Sequence, residues 1–138
     1  MAVGFLVKYY WYQVGTADFL HSFFSSIAYN LEDKKWGSRY PIIMNELYGG
    51  NLGKEHLYLA LEELDIIIQQ LKRCSYEKVI WDIDDLTKQP PWGKKISSEI
   101  TDLSNYFITS DGENLVIVLR HAIQKAIEVG SDVNISNM

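Results

Sequence analysis

Apolar and polar positions alternate through AVGFLVKYYWYQV at the start of the chain, so that Val3, Phe5, Val7, Tyr9 and Trp11 share one face. A period of two in a run rich in valine and aromatics predicts a strand over residues 2–13. Gly15-Thr16 then offers a turn and an N-cap, and Phe19, Leu20, Phe23, Phe24, Ile27 and Leu31 recur at spacings of three and four. This predicts an amphipathic helix over 17–32. The pattern breaks into a loop from Glu32 to Pro41, carrying Trp36 and Tyr40. Residues 42–48 are too few for periodicity to separate helix from strand, and Gly49-Gly50 ends them.

The strongest helical period runs over 54–72, where Leu57, Leu61, Leu64, Ile68 and Leu71 form a stripe and Glu62, Glu63, Gln69 and Gln70 lie opposite. Lys72-Arg73 fall in its last turn, where cations complement the helix dipole. Residues 77–82 read as a second strand, and 82–107 as a long loop with room for one helical turn. Ser110-Asp-Gly-Glu113 has capping-box spacing, which predicts a helix over 111–129 ended by Gly130. The alternating tail 132–136 reads as a short strand at a sheet edge. These elements predict an α+β fold: a small, mainly antiparallel sheet packed against three main helices, in a single domain over residues 1–138. Strand order does not follow from the pattern.

Composition sharpens this picture in two places. Apolar residues make up 47% of the chain and charged residues 22%, which excludes disorder and gives an ordinary core. A formal net charge of −5 disfavours a polyanionic partner such as nucleic acid and favours a basic one. Seven acids against three bases lie between Asp82 and Glu113, so the negative field is local. With the lone Cys74, no signal peptide and no apolar run of roughly 18 residues, the expected location is cytoplasmic, without contact with a membrane.

The chemistry-bearing motifs fail one after another. Asp82-Ile83-Asp84 after an expected strand resembles the D-x-D of haloacid dehalogenase-type phosphotransferases, but Asp85 and Leu86 stand where that motif continues differently. Counted from Asp82, a calcium loop requires glycine at the sixth position, where Thr87 stands. His21, His56 and His121 fall on three different expected helices without metal-ligand spacing, so no metal and no cofactor are expected. There is no G-x-S-x-G elbow or P-loop, and Cys74 lacks a paired histidine in view. The tyrosines and Trp11 near the start lack interleaved basic residues and read as a half-buried strand. No catalytic residue is expected.

A recognition surface remains. In WDIDDLTKQPPWG, residues 81–93, carboxylates and tryptophans crowd a loop stiffened by two prolines. Charge and loop position nominate Asp82, Asp84, Asp85, Trp92 and Asp102 as partner contacts. The same residues allow a plainer reading, in which Trp81 and Trp92 plug the core and the aspartates cap turns.

WDIDDLTKQPPWG, followed by ISSEITDLSNYFITSDGENL, resembles the immunity protein 70 family of bacterial polymorphic toxin systems. The similarity extends to GFLVKYYWYQVGTADFLHSFFSSI and WGSRYPIIMNELYGG. The resemblance implies a small cytoplasmic antidote that is not an enzyme. It would bind the C-terminal toxin domain of a polymorphic or contact-dependent growth inhibition toxin and neutralise it by stoichiometric occlusion. The expected toxin is basic, with a nuclease cleft as the expected target. Alternatives from other classes are a general adaptor domain and a metal-dependent phosphatase or nuclease using Asp82 and Asp84.

Overall fold

A computed structural model describes residues 2–137. Four strands, β1 (Val3–Val7), β2 (Tyr10–Gly15), β3 (Asn51–Leu52) and β4 (Val133–Asn137), form one antiparallel sheet in the order β2-β1-β4-β3. Three helices, α1 (Ala17–Leu31), α2 (Leu57–Leu71) and α3 (Leu115–Val129), pack with the sheet around one hydrophobic core. The fold is α+β, with the antiparallel sheet and three main helices that the hydrophobic pattern predicts.

The single strand expected over 2–13 is a hairpin. Lys8 and Tyr9 turn the chain, Val7 pairs with Tyr10, and Phe5 faces Tyr12. A two-residue turn reverses parity, so the inward positions are odd in β1 (Val3, Phe5, Val7) and even in β2 (Tyr12, Val14). Tyr9 is left almost fully in solvent. The turn is hard to read because Lys8, with φ 57°, occupies the left-handed region that glycine or asparagine usually fills. Gly4 is needed at the bulge beside it, since a Cβ there would lie 2.5 Å from the Tyr12 carbonyl oxygen and 2.6 Å from the Trp11 ring.

Two further expectations shift. The tail does form a strand, but β4 lies inside the sheet, between β1 and the two-residue β3, rather than at its edge. The capping box at Ser110 does not start α3: the Asn114 side chain accepts from the Val116 amide and caps the helix instead. Ser110 docks onto β2, its amide donating to the Val14 carbonyl and its hydroxyl accepting from Gln13. Gly130 ends α3 in the left-handed conformation, as expected.

The helix expected over 54–72 begins with one 3-10 turn, Lys54–His56, and its α-helical part ends at Leu71, leaving Lys72 and Arg73 just beyond. Its buried stripe is Leu57, Ala60, Leu64, Ile67 and Leu71. Glu63 is not a solvent-facing residue: its carboxylate accepts from the Ile42 and Ile43 amides and caps a π-helical turn, Ile42–Leu47, that resolves the ambiguous run after Pro41. Burial pushes the Glu63 carboxyl above its ordinary value, against the pull of those two amides.

Glu32 does comparable work for the loop after α1. Only 1% exposed, it accepts from the amides of Gly37, Arg39 and Tyr40 at 2.9–3.0 Å and so curls residues 33–40 around one carboxylate. Asp33 and Lys34 both take positive φ there, a strained path that this carboxylate keeps in place. Glu32→Ala leaves three amides without their acceptor and is expected to lower stability by about 3 kcal/mol. Urea unfolding monitored by tryptophan fluorescence checks this, and a loss below about 1 kcal/mol would mean that water replaces the carboxylate.

Candidate functional site

The site is built on an unusual face of α1. Ser22, Ser26 and Asn30 follow one another at intervals of four, with Ser25 beside them, and the three serines are fully buried. A buried hydroxyl needs a partner, and these find theirs in the backbone of residues 78–83. The Ser22 and Ser26 hydroxyls donate to the Ile80 carbonyl, at 2.8 and 3.2 Å. The Ser26 oxygen also accepts from the Ile80 amide at 3.0 Å, and Ser25 accepts from the Ile83 amide at 3.2 Å. Asn30 donates to the Lys78 carbonyl.

This corrects the strand expected over 77–82. Tyr76–Lys78 form a 3-10 turn capped by Ser75, and the following residues join no strand of the sheet. The valine and tryptophan that suggested a strand, Val79 and Trp81, do turn apolar groups toward the core, but serine side chains of a helix take the place of a ladder. The D-x-D motif consequently does not end a strand.

Asp82 is delivered from this pinned segment to His21 on α1. His21 Nε2 lies 3.2 Å from Asp82 Oδ1 and 3.8 Å from Asp84 Oδ2. Its Nδ1 lies 2.7 Å from the Tyr48 hydroxyl. The Trp36 ring stacks on the imidazole, 6.0 Å between centroids, and is held by an indole N–H that donates to the Met44 carbonyl. His56 faces a carboxylate as well, its Nδ1 lying 2.8 Å from Glu46 Oε1.

The Asp84 amide, donating to Asp82 Oδ1 at 2.9 Å, holds the Asp82 carboxyl below its ordinary range, helped by His21 and Lys88 and opposed by burial. Burial pushes the Tyr48 hydroxyl up, and the negative charges of Asp84 and Asp82 add to it. Lys88 Nζ, 3.5 Å from Asp82 Oδ2, is the cation nearest the pair.

The nominated residues divide between two places. Asp82, Asp84 and Asp85 stand together on one turn, with the Asp84 side chain 85% exposed and Asp85 accepting from both the amide and the hydroxyl of Thr87. Those two bonds hold the Asp85 carboxyl below its ordinary range. Trp92 belongs to an aromatic stack farther along the loop. Its indole meets Trp81 edge to face at 5.5 Å and donates to the Tyr106 hydroxyl, and Tyr106 packs on Phe107 in the core. Trp92 still exposes 40% of its surface, whereas Trp81 is half-buried against the core.

Asp102 lies in another turn, beside the end of α2, where Leu103 donates to the Cys74 carbonyl. Its oxygens are engaged by Thr101 and by the amide and hydroxyl of Ser104. Burial works against the charge of Asp102, yet the Ser104 bonds keep its carboxyl below the ordinary range. The expected loop is present, residues 84–107 being a string of turns joined by bonds such as Gly93 to Pro90 and Ile100 to Ser97. Sequence reasoning missed His21, Tyr48 and Trp36. The signal was the polar spacing within HSFFSSIAYN, where His21, Ser22, Ser25, Ser26 and Asn30 fall on a helix rich in buried phenylalanine, leucine and isoleucine.

A shallow cavity of about 320 Å³ adjoins this cluster, lined by Tyr29, Lys34, Trp36, Ile83, Asp84 and Leu86. Leu86 is 53% exposed at its rim, and Lys34 Nζ sits 4.8 Å above the Tyr29 ring.

Removing the Ser26 hydroxyl tests the pinned segment. Ser26→Ala strands the part-buried Ile80 amide, and stability is expected to fall by about 1–3 kcal/mol, with faster proteolysis between residues 78 and 84. A variant as stable and as resistant as the native chain would show that the hydroxyl does not hold the segment. The Asp82 carboxyl gives a pH test. Because its folded pKa is depressed, its contribution is present above the ordinary carboxylate value of about 3.9 and is lost as pH falls through the folded value. The stability gap between the native chain and Asp82→Asn, from urea unfolding at pH 7 and pH 3, is expected to narrow at the lower pH. Glu63, Asp85 and Asp102 titrate in both proteins and cancel in that difference.

Among known proteins, no curated protein and no solved structure matches the chain. The family described as Immunity protein 70 matches residues 5–135, which include both the α1 serine face and the whole of the WDIDD loop. With 138 residues in all, nearly the full length is accounted for, and the chain belongs to the immunity protein 70 family.

Proposed function

We propose that the chain protects its cell by binding a cognate toxin domain in a stoichiometric complex, through the edge formed by Asp82–Leu86 and the cavity beside it. It acts as an inhibitor and not as a catalyst. The observation that carries the reading is a carboxylate, Asp84, held out in solvent by a backbone that α1 pins from behind. A charged group on a fixed segment loses little conformational freedom on binding, which favours affinity. The neighbouring cavity, with Trp36 and Tyr29 in its wall and Leu86 at its rim, offers an apolar anchor beside the charge.

The polarity of this edge indicates a basic toxin surface. A net charge of −5, with four of the excess negative charges between Asp82 and Glu113, speeds encounter with a cationic partner. A nuclease, whose cleft must hold a polyanion, has such a surface, and a nuclease target places the antidote in the cytoplasm, where the nucleic acid is. Asp84 and the exposed face of Trp92 are the proposed contacts among the nominated residues. Asp82 orients the edge and Asp85 caps its turn, while Asp102 caps a separate turn beside the end of α2.

Co-expression with the toxin domain encoded at the same locus is expected to restore growth and to give a one-to-one complex on gel filtration. Survival without a complex would contradict inhibition by binding. Within the complex, Asp84→Lys is expected to slow association about ten-fold at low salt and to flatten its salt dependence. Unchanged association kinetics would move the interface to another face.

A further inference from the structure

His21, Asp82 and Asp84 bring one imidazole nitrogen and two carboxylate oxygens within 4.8 Å of one another, from two segments far apart in sequence. We propose that these three residues form a site for a divalent transition-metal ion of the zinc class. The separations suit that chemistry. Ligand atoms about 2.0–2.2 Å from a tetrahedral zinc lie roughly 3.3–3.6 Å from each other, and Nε2 of His21 stands 3.2 Å from Asp82 Oδ1 and 3.8 Å from Asp84 Oδ2. The two carboxylate oxygens lie within 4.8 Å of each other, and the exposed Asp84 side chain closes in to complete the shell. The fourth position faces solvent on the side of the exposed Asp84 and takes water.

The second ring nitrogen is compatible with the assignment in one of its two tautomers. A ligating histidine commonly donates its other N–H to an oxygen, which fixes its tautomer. Tyr48 supplies that oxygen 2.7 Å from Nδ1, and with Nδ1–H donating to it the Nε2 lone pair is directed toward the aspartates. The partly exposed Tyr48 hydroxyl can then donate to water. Trp36 stacked on the imidazole limits its rotation, and the Asp84 amide fixes Asp82 Oδ1 while leaving that oxygen a second lone pair.

Without a bound cation, a neutral His21 in this tautomer would set lone pairs against each other across 3.2 Å. A proton on Nε2 relieves that contact, and so does a metal. The two compete for the same nitrogen lone pair. Imidazole among the donors selects zinc-class ions over magnesium and calcium, which prefer shells of oxygen. Lys88 is the opposing group, its ammonium 3.5 Å from Asp82 Oδ2 on an exposed side chain that can swing away. A bound ion would join α1 to the 82–84 turn, adding a metal staple beside the serine bonds. This inference concerns the free chain and does not depend on what docks there.

The test uses the full-length, untagged chain stripped with a chelator and titrated with zinc chloride, with magnesium chloride as the comparison, at pH 7.5. The expected result is one saturable zinc site per chain, a raised melting temperature and no saturable magnesium binding. His21→Gln and Asp84→Asn are expected to weaken zinc at least ~10-fold, Lys88→Met to tighten it, and His121→Gln to leave it unchanged. Asp84 is exposed, so its variant is expected to fold, which circular dichroism checks. Absence of saturable zinc binding overturns the proposal. So does binding that His21→Gln and Asp84→Asn leave intact, which would place any metal at His56 and Glu46 or elsewhere.

Discussion

The buried serines of α1 are the interaction on which this molecule's surface depends. A helix that hides Phe23, Phe24 and Ile27 on some of its faces hides Ser22, Ser25 and Ser26 on another, and a hydroxyl without a partner in that position would cost about 1–3 kcal/mol. The backbone around Ile80 and Ile83 removes that cost, and in return loses its freedom to move. Each side of the contact satisfies the other, and among the described residues no buried side-chain polar atom lacks a partner. The result is a segment outside the sheet with a defined path, carrying Asp82 and Asp84 to one place.

Carboxylates play the same part elsewhere. Glu32 gathers three loop amides, Glu63 caps the π-helical turn, and Glu46 accepts from the Gly53 amide while facing His56. In a chain with an acidic excess, several of the acids therefore serve as structural acceptors. Asp85 and Asp102 fall into that group, since hydroxyls and amides within their own turns engage them. Asp84 differs: its own backbone positions Asp82, while its carboxylate projects into solvent beside a cavity with aromatic walls. That contrast narrows a broad negative field to one edge.

The sequence displays the helices plainly, because repeated spacings of three and four mark one buried face, and it displays the loop because adjacent prolines prevent regular pairing. It hides the hairpin, since Lys8 takes a left-handed conformation without the usual glycine or asparagine, and it hides the shift of inward parity that a two-residue turn imposes. The stretch around Ile80 reads as a strand because its apolar residues have the composition of one. Composition cannot say whether a backbone pairs with another strand or with serine side chains. At the candidate site the aspartates are legible from their density, whereas His21 is not, because its neighbour Asp82 lies 61 residues away along the chain.

Amide hydrogen exchange of the free chain, repeated with the cognate toxin domain bound, measures the central claim most directly. If α1 fixes this segment as a docking edge, the Ile80 and Ile83 amides exchange slowly in the free chain although neither belongs to the sheet. Protection then extends to Asp84–Leu86 in the complex. Ile80 and Ile83 amides exchanging as fast as those of the exposed turn at Lys94 and Lys95, or a complex that leaves Asp84–Leu86 unprotected, would contradict the account.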